Sequence, residues 1–453
     1  MPSADPRAIA FRILRDVDER GARVRAETGR AADAAGLSAA DRGLLREITA
    51  GVTRRRLSLD TVIDAFSKIP PDKIDGAVRR ALRIGLYQIL FLDRIPARAA
   101  VDTTVDLVKR ARAHATGFAN ALLRAASRAV VAREEDPGRE PRRALPIDRN
   151  RWAIFDRDVL PDPEQDEVGY LARAHSHPDW LVERWLAAVG PEATLDRVRA
   201  GNRRPQTFLR IRAGHGDALR AALREAPEPF AEVDGRPDAI RLERDVAVSS
   251  LPGYGEGWFV VQDITAQAVV DFTGTTAGES VLDVGSAPGG KTAALADAAG
   301  VEGWVAALDL SEARQRTLAA NVRRLRLERV YVLAGDVLHA PLRPGAAFDR
   351  VLVDAPCSNT GVLRRRVEAR WRLALDDVVA LATLQTAMLV AAADLVRPGG
   401  TLVYSTCTLE PEENGGVVEA ALRARADLTL DDTALREPGA GDGGYLARLV
   451  RRR

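Results

Sequence analysis

Two cysteines in 453 residues, Cys357 and Cys407, are too few and too far apart for a disulfide framework. No Cys-x-x-Cys pair or Cys/His cluster has zinc spacing, so the expectation is a reducing compartment and no metal. Lysine is scarce as well: of 66 basic residues only Lys68, Lys73, Lys109 and Lys291 are lysines. So strong an arginine skew weakens any argument from a single arginine cluster. A lysine kept inside a glycine turn, as Lys291 is, asks instead for a specific role. No apolar run approaches the ~18 residues of a membrane span, and the start, MPSADPRAIAFRILRDVDER, lacks the apolar core of a signal peptide. The expectation is a soluble, cytoplasmic protein without a membrane partner. Its net charge of +2 does not announce nucleic acid.

What is present divides the chain. A length of 453 residues with 46% hydrophobic residues implies several domains. From about Pro6 to Arg133 apolar residues recur at helical spacing, as in Val78, Leu82, Leu86, Ile89 and Leu90, with no strand alternation. Basic residues gather in TRRRLSLD, VRRALRIG and LVKRARAH, which read as positive helix faces or, more plainly, as solvated ones. Residues 134–170, dense in charge and proline, read as a linker. Residues 171–256 read as a small α+β module built from HPDWLVERWLAAVG, QTFLRIR, GDALRAALREA and DAIRLE. His175 and His177 lack a third ligand and are expected in an exposed loop at a helix entry.

Residues 257–453 alternate strand, loop and helix, the rhythm of a parallel, doubly wound sheet with helices on both faces. The first strand-to-helix turn is DVGSAPGGKT. Its residues Gly285, Ser286, Ala287, Pro288, Gly289, Gly290 and Lys291 form a ligand loop that has neither the spacing of a dinucleotide fold nor that of a P-loop. Asp309 closes the second strand, where a carboxylate accepts ribose hydroxyls, and Asp336 closes the third, on the adenine side. Ribose and adenine without a phosphate pattern point to S-adenosylmethionine. The plainer alternative is a tight turn followed by two helix caps.

The fourth and fifth strands end in VLVDAPCSNTG and LVYSTCTLEPEEN, so both cysteines stand where open α/β sheets carry out chemistry. Asp354-Ala-Pro-Cys357 does not suit methylation of an exocyclic amine. A thiolate added at carbon 6 of cytosine makes carbon 5 nucleophilic enough to take a methyl group, and a second cysteine can assist release of the covalent adduct. Asp354, partly protonated, could hydrogen-bond the ring nitrogen. Two buried structural thiols are the bland alternative.

These motifs resemble those of the RsmB family of bacterial ribosomal RNA (cytosine-C5) methyltransferases, over nearly the whole chain. DRGLLREITAGVTRR, RRALRIGLYQILFLDRIPARAAVD and GFANALLR look like its helical, NusB-type RNA-binding domain, and NRRPQTFLRIR and VQDITAQAVV like its small RRM-like module. The resemblance implies a Rossmann-like catalytic domain, Cys407 as nucleophile and Cys357 as the residue assisting release. It also implies that Gly285–Lys291, Asp309, Asp336 and Asp354 contact cofactor or target base, with small-subunit (16S) ribosomal RNA as partner and the protein a monomer. The chain departs from the family's pattern at Gly285-Ser286, at Val367-Glu368 after the trio Arg364–Arg366, and at Asp442-Gly-Gly-Tyr445. A transfer RNA substrate and a non-catalytic RNA-binding or antitermination factor are the alternatives.

Overall fold

In the computed structural model, residues 5–134, 140–244 and 246–453 are described, and they fall into two compact units. The first unit comprises residues up to Arg204 together with Leu363–Arg372. It holds helices α1 (Pro6–Arg20), α2 (Val24–Ala34), α3 (Ala39–Arg54), α4 (Arg56–Phe66), α5 (Gly76–Phe91), α6 (Ala97–Ala111), α7 (Thr116–Ala129), α8 (Glu167–His175) and α9 (Asp179–Asn202). Strands β1 (Val130–Glu134), β2 (Ala144–Pro146) and β3 (Trp152–Phe155) form an antiparallel sheet in the order β1-β3-β2.

The starts of these helices are written locally. Asp5 accepts from Arg7 N–H with Pro6 at the first turn of α1, and Ser38 and Asp75 cap α3 and α5 in the same way. Helix α5 is buried nearly all round, from Val78 to Leu90, and is therefore the hub against which Leu45, Ile48, Leu59 and Ile63 pack.

Three sequence readings change here. Two of the basic clusters are not solvated faces: Arg54, Arg55, Arg80 and Arg83 are all under 9% exposed. Arg83 is held bidentately by Asp60, each hydrogen bond 2.8 Å, an acid that lies outside its own sequence cluster. The stretch read as a linker, residues 134–170, contains β2, β3, the last residue of β1 and the start of α8, because β3 pairs with both other strands and orders them. Residues 135–139 within it lie outside the described residues. Finally, His175 and His177 are buried, not exposed. His177 Nδ1 lies 2.8 Å from the His175 carbonyl, and burial pushes the His175 pKa down to about 3.

The second unit comprises Pro205–Val362 and Leu373–Arg453. Strands β4 (Thr207–Ile211), β5 (Phe230–Val233), β6 (Arg236–Leu242) and β7 (Phe259–Val261) form an antiparallel sheet ordered β5-β6-β4-β7, with α10 (Gly216–Glu225) between β4 and β5 in the chain. Leu209, Ile211, Leu219, Leu223 and Ile240 form its core. The remaining elements are α11 (Ile264–Thr273), β8 (Ser280–Val284), α12 (Gly290–Ala299), β9 (Trp304–Asp309), α13 (Glu312–Arg324), β10 (Val330–Ala334), β11 (Phe348–Asp354), α14 (Leu375–Asp394), β12 (Val396–Thr406), α15 (Gly415–Ala424), β13 (Leu428–Arg436) and β14 (Gly444–Arg451).

The large sheet has the order β10-β9-β8-β11-β12-β14-β13. Five strands are parallel, as the alternation predicts, but β14 runs antiparallel between β12 and β13, so the sheet is mixed. The chain ends in a hairpin, which needs no crossover helix. Helix α14 is, by length and composition, apolar enough to cross a membrane, contrary to the sequence reading. It buries Val378, Gln385, Met388, Leu389, Ala392 and Ala393 within this unit.

Candidate active site

Strand order decides what meets. Because β9 and β11 flank β8, the chain leaves β8 in opposite directions, and a crevice opens at the carboxyl ends of the two strands between which the order reverses. Gly285 follows β8, Asp309 ends β9, Asp336 follows β10, Asp354 ends β11 and Cys407 follows β12. In the parallel ladder Asp354 pairs with Ser405, two residues before Cys407, so the two cysteine-bearing loops leave the sheet side by side.

The glycine loop is held by its neighbours. Gly285 has φ 78°, and a Cβ there would lie 2.3 Å from the Asp354 carbonyl oxygen, so only glycine allows the approach. Its N–H and that of Ser286 donate to the Leu308 carbonyl at 2.9 and 3.2 Å. The Asp309 carboxylate, 4% exposed, accepts from Ala287 N–H at 3.2 Å and Ser311 N–H at 3.0 Å and faces Arg314 at 3.4 Å. Asp336 accepts from Leu338 N–H at 3.0 Å. Asp336 therefore does act as a cap, the plainer of the two sequence readings, on the short turn Val337–His339, whereas Asp309 caps no helix because Ser311 caps α13.

The loop also fits a cofactor. Asp283 Oδ1 and Ser286 Oγ are buried beside it with no hydrogen-bond partner among the described residues, which in a native fold calls for a ligand or water. Burial pushes the Asp283 carboxyl up to about 7, although Thr292 Oγ1 donates to it at 2.6 Å. The N–H groups that open α12 suit a carboxylate and the unpaired oxygens suit donor groups, and S-adenosylmethionine carries both.

The two sulfurs touch. Cys357 Sγ lies 3.0 Å from Cys407 Sγ, and Cys407 N–H donates to Cys357 Sγ at 3.3 Å. Asn359 reaches both loops, its Nδ2 donating to the Cys357 carbonyl at 2.5 Å and its Oδ1 lying 3.5 Å from Cys407 Sγ. Lys291 Nζ, 2.7 Å from Asp354 Oδ2, completes the group. Burial opposes the Lys291 charge, but Asp354 and, beyond it, Asp283 and Cys407 outweigh burial and hold the ammonium above the usual lysine range.

The cysteines are not equivalent. The hydrogen bond to Cys407, then burial, then the charges of Cys407 and Glu413 push the Cys357 thiol well up, so it stays protonated. Cys407 is the sulfur within reach of the Lys291 cation. The sequence reading gave Asp354 the hydrogen bond to the ring nitrogen, and the structure sets the Lys291 ammonium beside that carboxylate. Sequence reasoning also assigned nothing to Asn359, Ser358, Thr408, Glu413 or Asn414. The signal was the recurrence of small polar residues directly after both cysteines, in CSNTG and CTLEPEEN.

Three family models match the chain: the 16S rRNA methyltransferase RsmB/F model over residues 274–447, the NusB family over 4–128, and the RsmF/B-like ferredoxin-like domain over 177–249. A probable ribosomal RNA small subunit methyltransferase B of Synechocystis is 35% identical over 431 residues, 93% of this chain and 90% of that protein. The chain belongs to the RsmB/F methyltransferase family. A ribosomal RNA small subunit methyltransferase B of Erwinia tasmaniensis is 34% identical over 91% of each chain. Among solved structures, PH0851 aligns over 99% of both chains with a TM-score of 0.77 at 24% identity. NSun6 from Pyrococcus horikoshii, solved with SFG, aligns over 61% of this chain and 98% of its own with a TM-score of 0.55 at 20% identity. At these identities the two structures speak for the fold. Family membership makes the protein an S-adenosylmethionine-dependent methyltransferase with a helical NusB-type part, a ferredoxin-like module and a mixed α/β catalytic sheet.

Proposed function

We propose that the protein methylates carbon 5 of a cytidine in small-subunit ribosomal RNA through a covalent adduct with Cys407. The observation that carries this reading is the 3.0 Å contact between Cys357 and Cys407 beside the Lys291–Asp354 pair. S-adenosylmethionine, held at Gly285–Lys291 with Asp309 and Asp336, supplies an electrophilic methyl group. A thiolate is the reactive form of cysteine, and Cys407, whose sulfur meets Cys357 Sγ at 3.0 Å beside the Lys291–Asp354 pair, is the nucleophile. Cys407 attacks carbon 6 of the ring. Asp354 can accept a hydrogen bond from the 4-amino group of cytosine, and Lys291 can face the ring nitrogen where negative charge collects.

Release follows from the sulfur contact. The C5–H bond breaks and its electron pair forms the C5–C6 double bond, while the C6–S pair returns to Cys407. Cys407 takes the Cys357 proton, and the Cys357 thiolate so formed takes the proton from carbon 5. Atoms and charge balance without a further base.

Residues 1–133 and the module at 171–256 would supply the RNA contacts, while the buried Arg80 and Arg83 are paired internally with Glu19 and Asp60. The same reading places the protein in the cytoplasm as a monomer.

A labelled-methyl assay on small-subunit ribosomal RNA tests the proposal. Wild type transfers label to cytidine carbon 5 and Cys407→Ala falls to background. Transfer to transfer RNA alone would move the substrate, and no transfer to any RNA would favour the assembly factor.

A further inference from the structure

The loop bearing Cys357 and the loop bearing Cys407 are joined below the sulfurs by a buried polar cluster that the proposed chemistry does not touch. At its centre is the Glu413 carboxylate, fully buried. Its Oε1 accepts from Ser358 N–H at 2.8 Å and from Gln385 Nε2 at 3.0 Å, and its Oε2 accepts from the Ser358 hydroxyl. Ser358 Oγ lies 2.7 Å from Thr408 Oγ1, and Thr408 Oγ1 lies 2.9 Å from Thr360 Oγ1, which accepts from Leu409 N–H at 2.9 Å. Asn414 extends the brace: Thr406 Oγ1 donates to its Oδ1 at 2.7 Å and its Nδ2 donates to the Thr408 carbonyl at 3.2 Å. Ser358 follows Cys357, and Thr406 and Thr408 flank Cys407, so both cysteines are fixed by the same anchor.

We propose that Glu413 is the positioning residue of the cysteine pair: its carboxylate ties the Cys357 loop to the Cys407 loop and holds Cys357 facing the Cys407 sulfur. This rests on the catalytic reading above and adds to it the group that holds the two cysteine loops together. The cost of the arrangement supports it. A carboxylate buried away from water is unfavourable, and burial raises its own pKa despite its donors. Three donors on a buried carboxylate are more than packing alone requires. An apolar side chain would fill the space but would leave Ser358 N–H unpaired and Gln385 Nε2 with only the Pro356 carbonyl, 2.8 Å away, as acceptor. The negative charge is also among the influences that keep Cys357 protonated, after the Cys407 hydrogen bond and burial, while Cys407 sits by Lys291.

Glu413→Gln separates position from charge. Its amide nearly preserves the shape but removes the charge and sets an NH2 group against donors. The assay is iodoacetamide labelling of the intact protein across pH, with Cys357 and Cys407 read as separate peptides by mass spectrometry. Cys357 in the variant is expected to label at lower pH than in wild type. In parallel, breakdown of the methylated RNA adduct should slow by roughly tenfold, with a smaller loss in first-turnover transfer. Ser358→Ala, which removes one donor and no charge, should slow adduct breakdown with little change in the labelling profile, and it stands in for breakdown if Glu413→Gln does not fold. A Cys357 profile unchanged in a folded Glu413→Gln, or wild-type adduct breakdown in Ser358→Ala, overturns the proposal. Labelling needs no RNA, so a wild-type protein that never forms an adduct would defeat the catalytic reading while leaving the Glu413 result standing.

Discussion

Lys291 Nζ lies 2.7 Å from Asp354 Oδ2, although the lysine opens the helix after β8 and the aspartate ends β11. Neighbouring parallel strands bring together two charges sixty-three positions apart, and Ser405 Oγ adds a 3.3 Å hydrogen bond to Asp354 from the third strand. Three strand ends therefore converge on one carboxylate, and four predictions follow from this convergence and its surroundings.

Lys291→Met removes the cation that faces both Asp354 and Cys407. First-turnover methyl transfer should fall by about a hundredfold or more, the scale of losing one preorganised electrostatic partner. The lysine pKa is raised in the folded state, so its stabilising contribution is fully present below the ordinary lysine range and is lost only as pH rises through the raised value. The melting difference between wild type and variant should accordingly stay level from pH 6 to 9. A difference that collapses within that range would show the pair is not formed.

Asp283 gives the same sign in a lower pH window. Its folded pKa of about 7 exceeds the unfolded value, so the folded state binds the extra proton, and stability falls as pH rises from about 4 to about 7. Asp283→Asn retains an acceptor for Thr292 and lacks that dependence. Melting curves without cofactor should show the variant gaining on wild type across this window and holding a constant lead above it. Parallel curves at all pH values would place Asp283 in water.

Gly285→Ala drives a Cβ into the Asp354 carbonyl at a positive φ. The strain costs about 1–3 kcal/mol and falls on the loop and on the strand end before Cys357. S-adenosylmethionine should raise the wild-type melting temperature and raise that of the variant little or not at all. An equal shift in both proteins would mean the ligand binds elsewhere.

The sheet and its helices were legible because each element signals locally. Ser311 does cap α13, accepting from Arg314 N–H, and the strands end at Asp309 and Asp354 as their apolar runs do. The sulfur pair was legible for the same reason, since two like motifs at two strand ends imply one cleft. What escaped depends on distant partners. The burial of Arg83 needs Asp60, the strand at Ala144–Pro146 needs Trp152–Phe155, and the place of Glu413 needs Ser358, fifty-five positions away. The histidines misled as well: with no third ligand in view, His175 and His177 read as an exposed loop at a helix entry, yet both lie in the interior.

The most direct test is Cys357→Ala incubated with ribosomal RNA and S-adenosylmethionine and run on a denaturing gel. The variant keeps Cys407 and Lys291, so it should attack and methylate the base, then remain attached, giving a slow-migrating band of protein bound to methylated RNA that wild type shows only faintly. A Cys357→Ala protein that turns over freely without such a band would contradict the account.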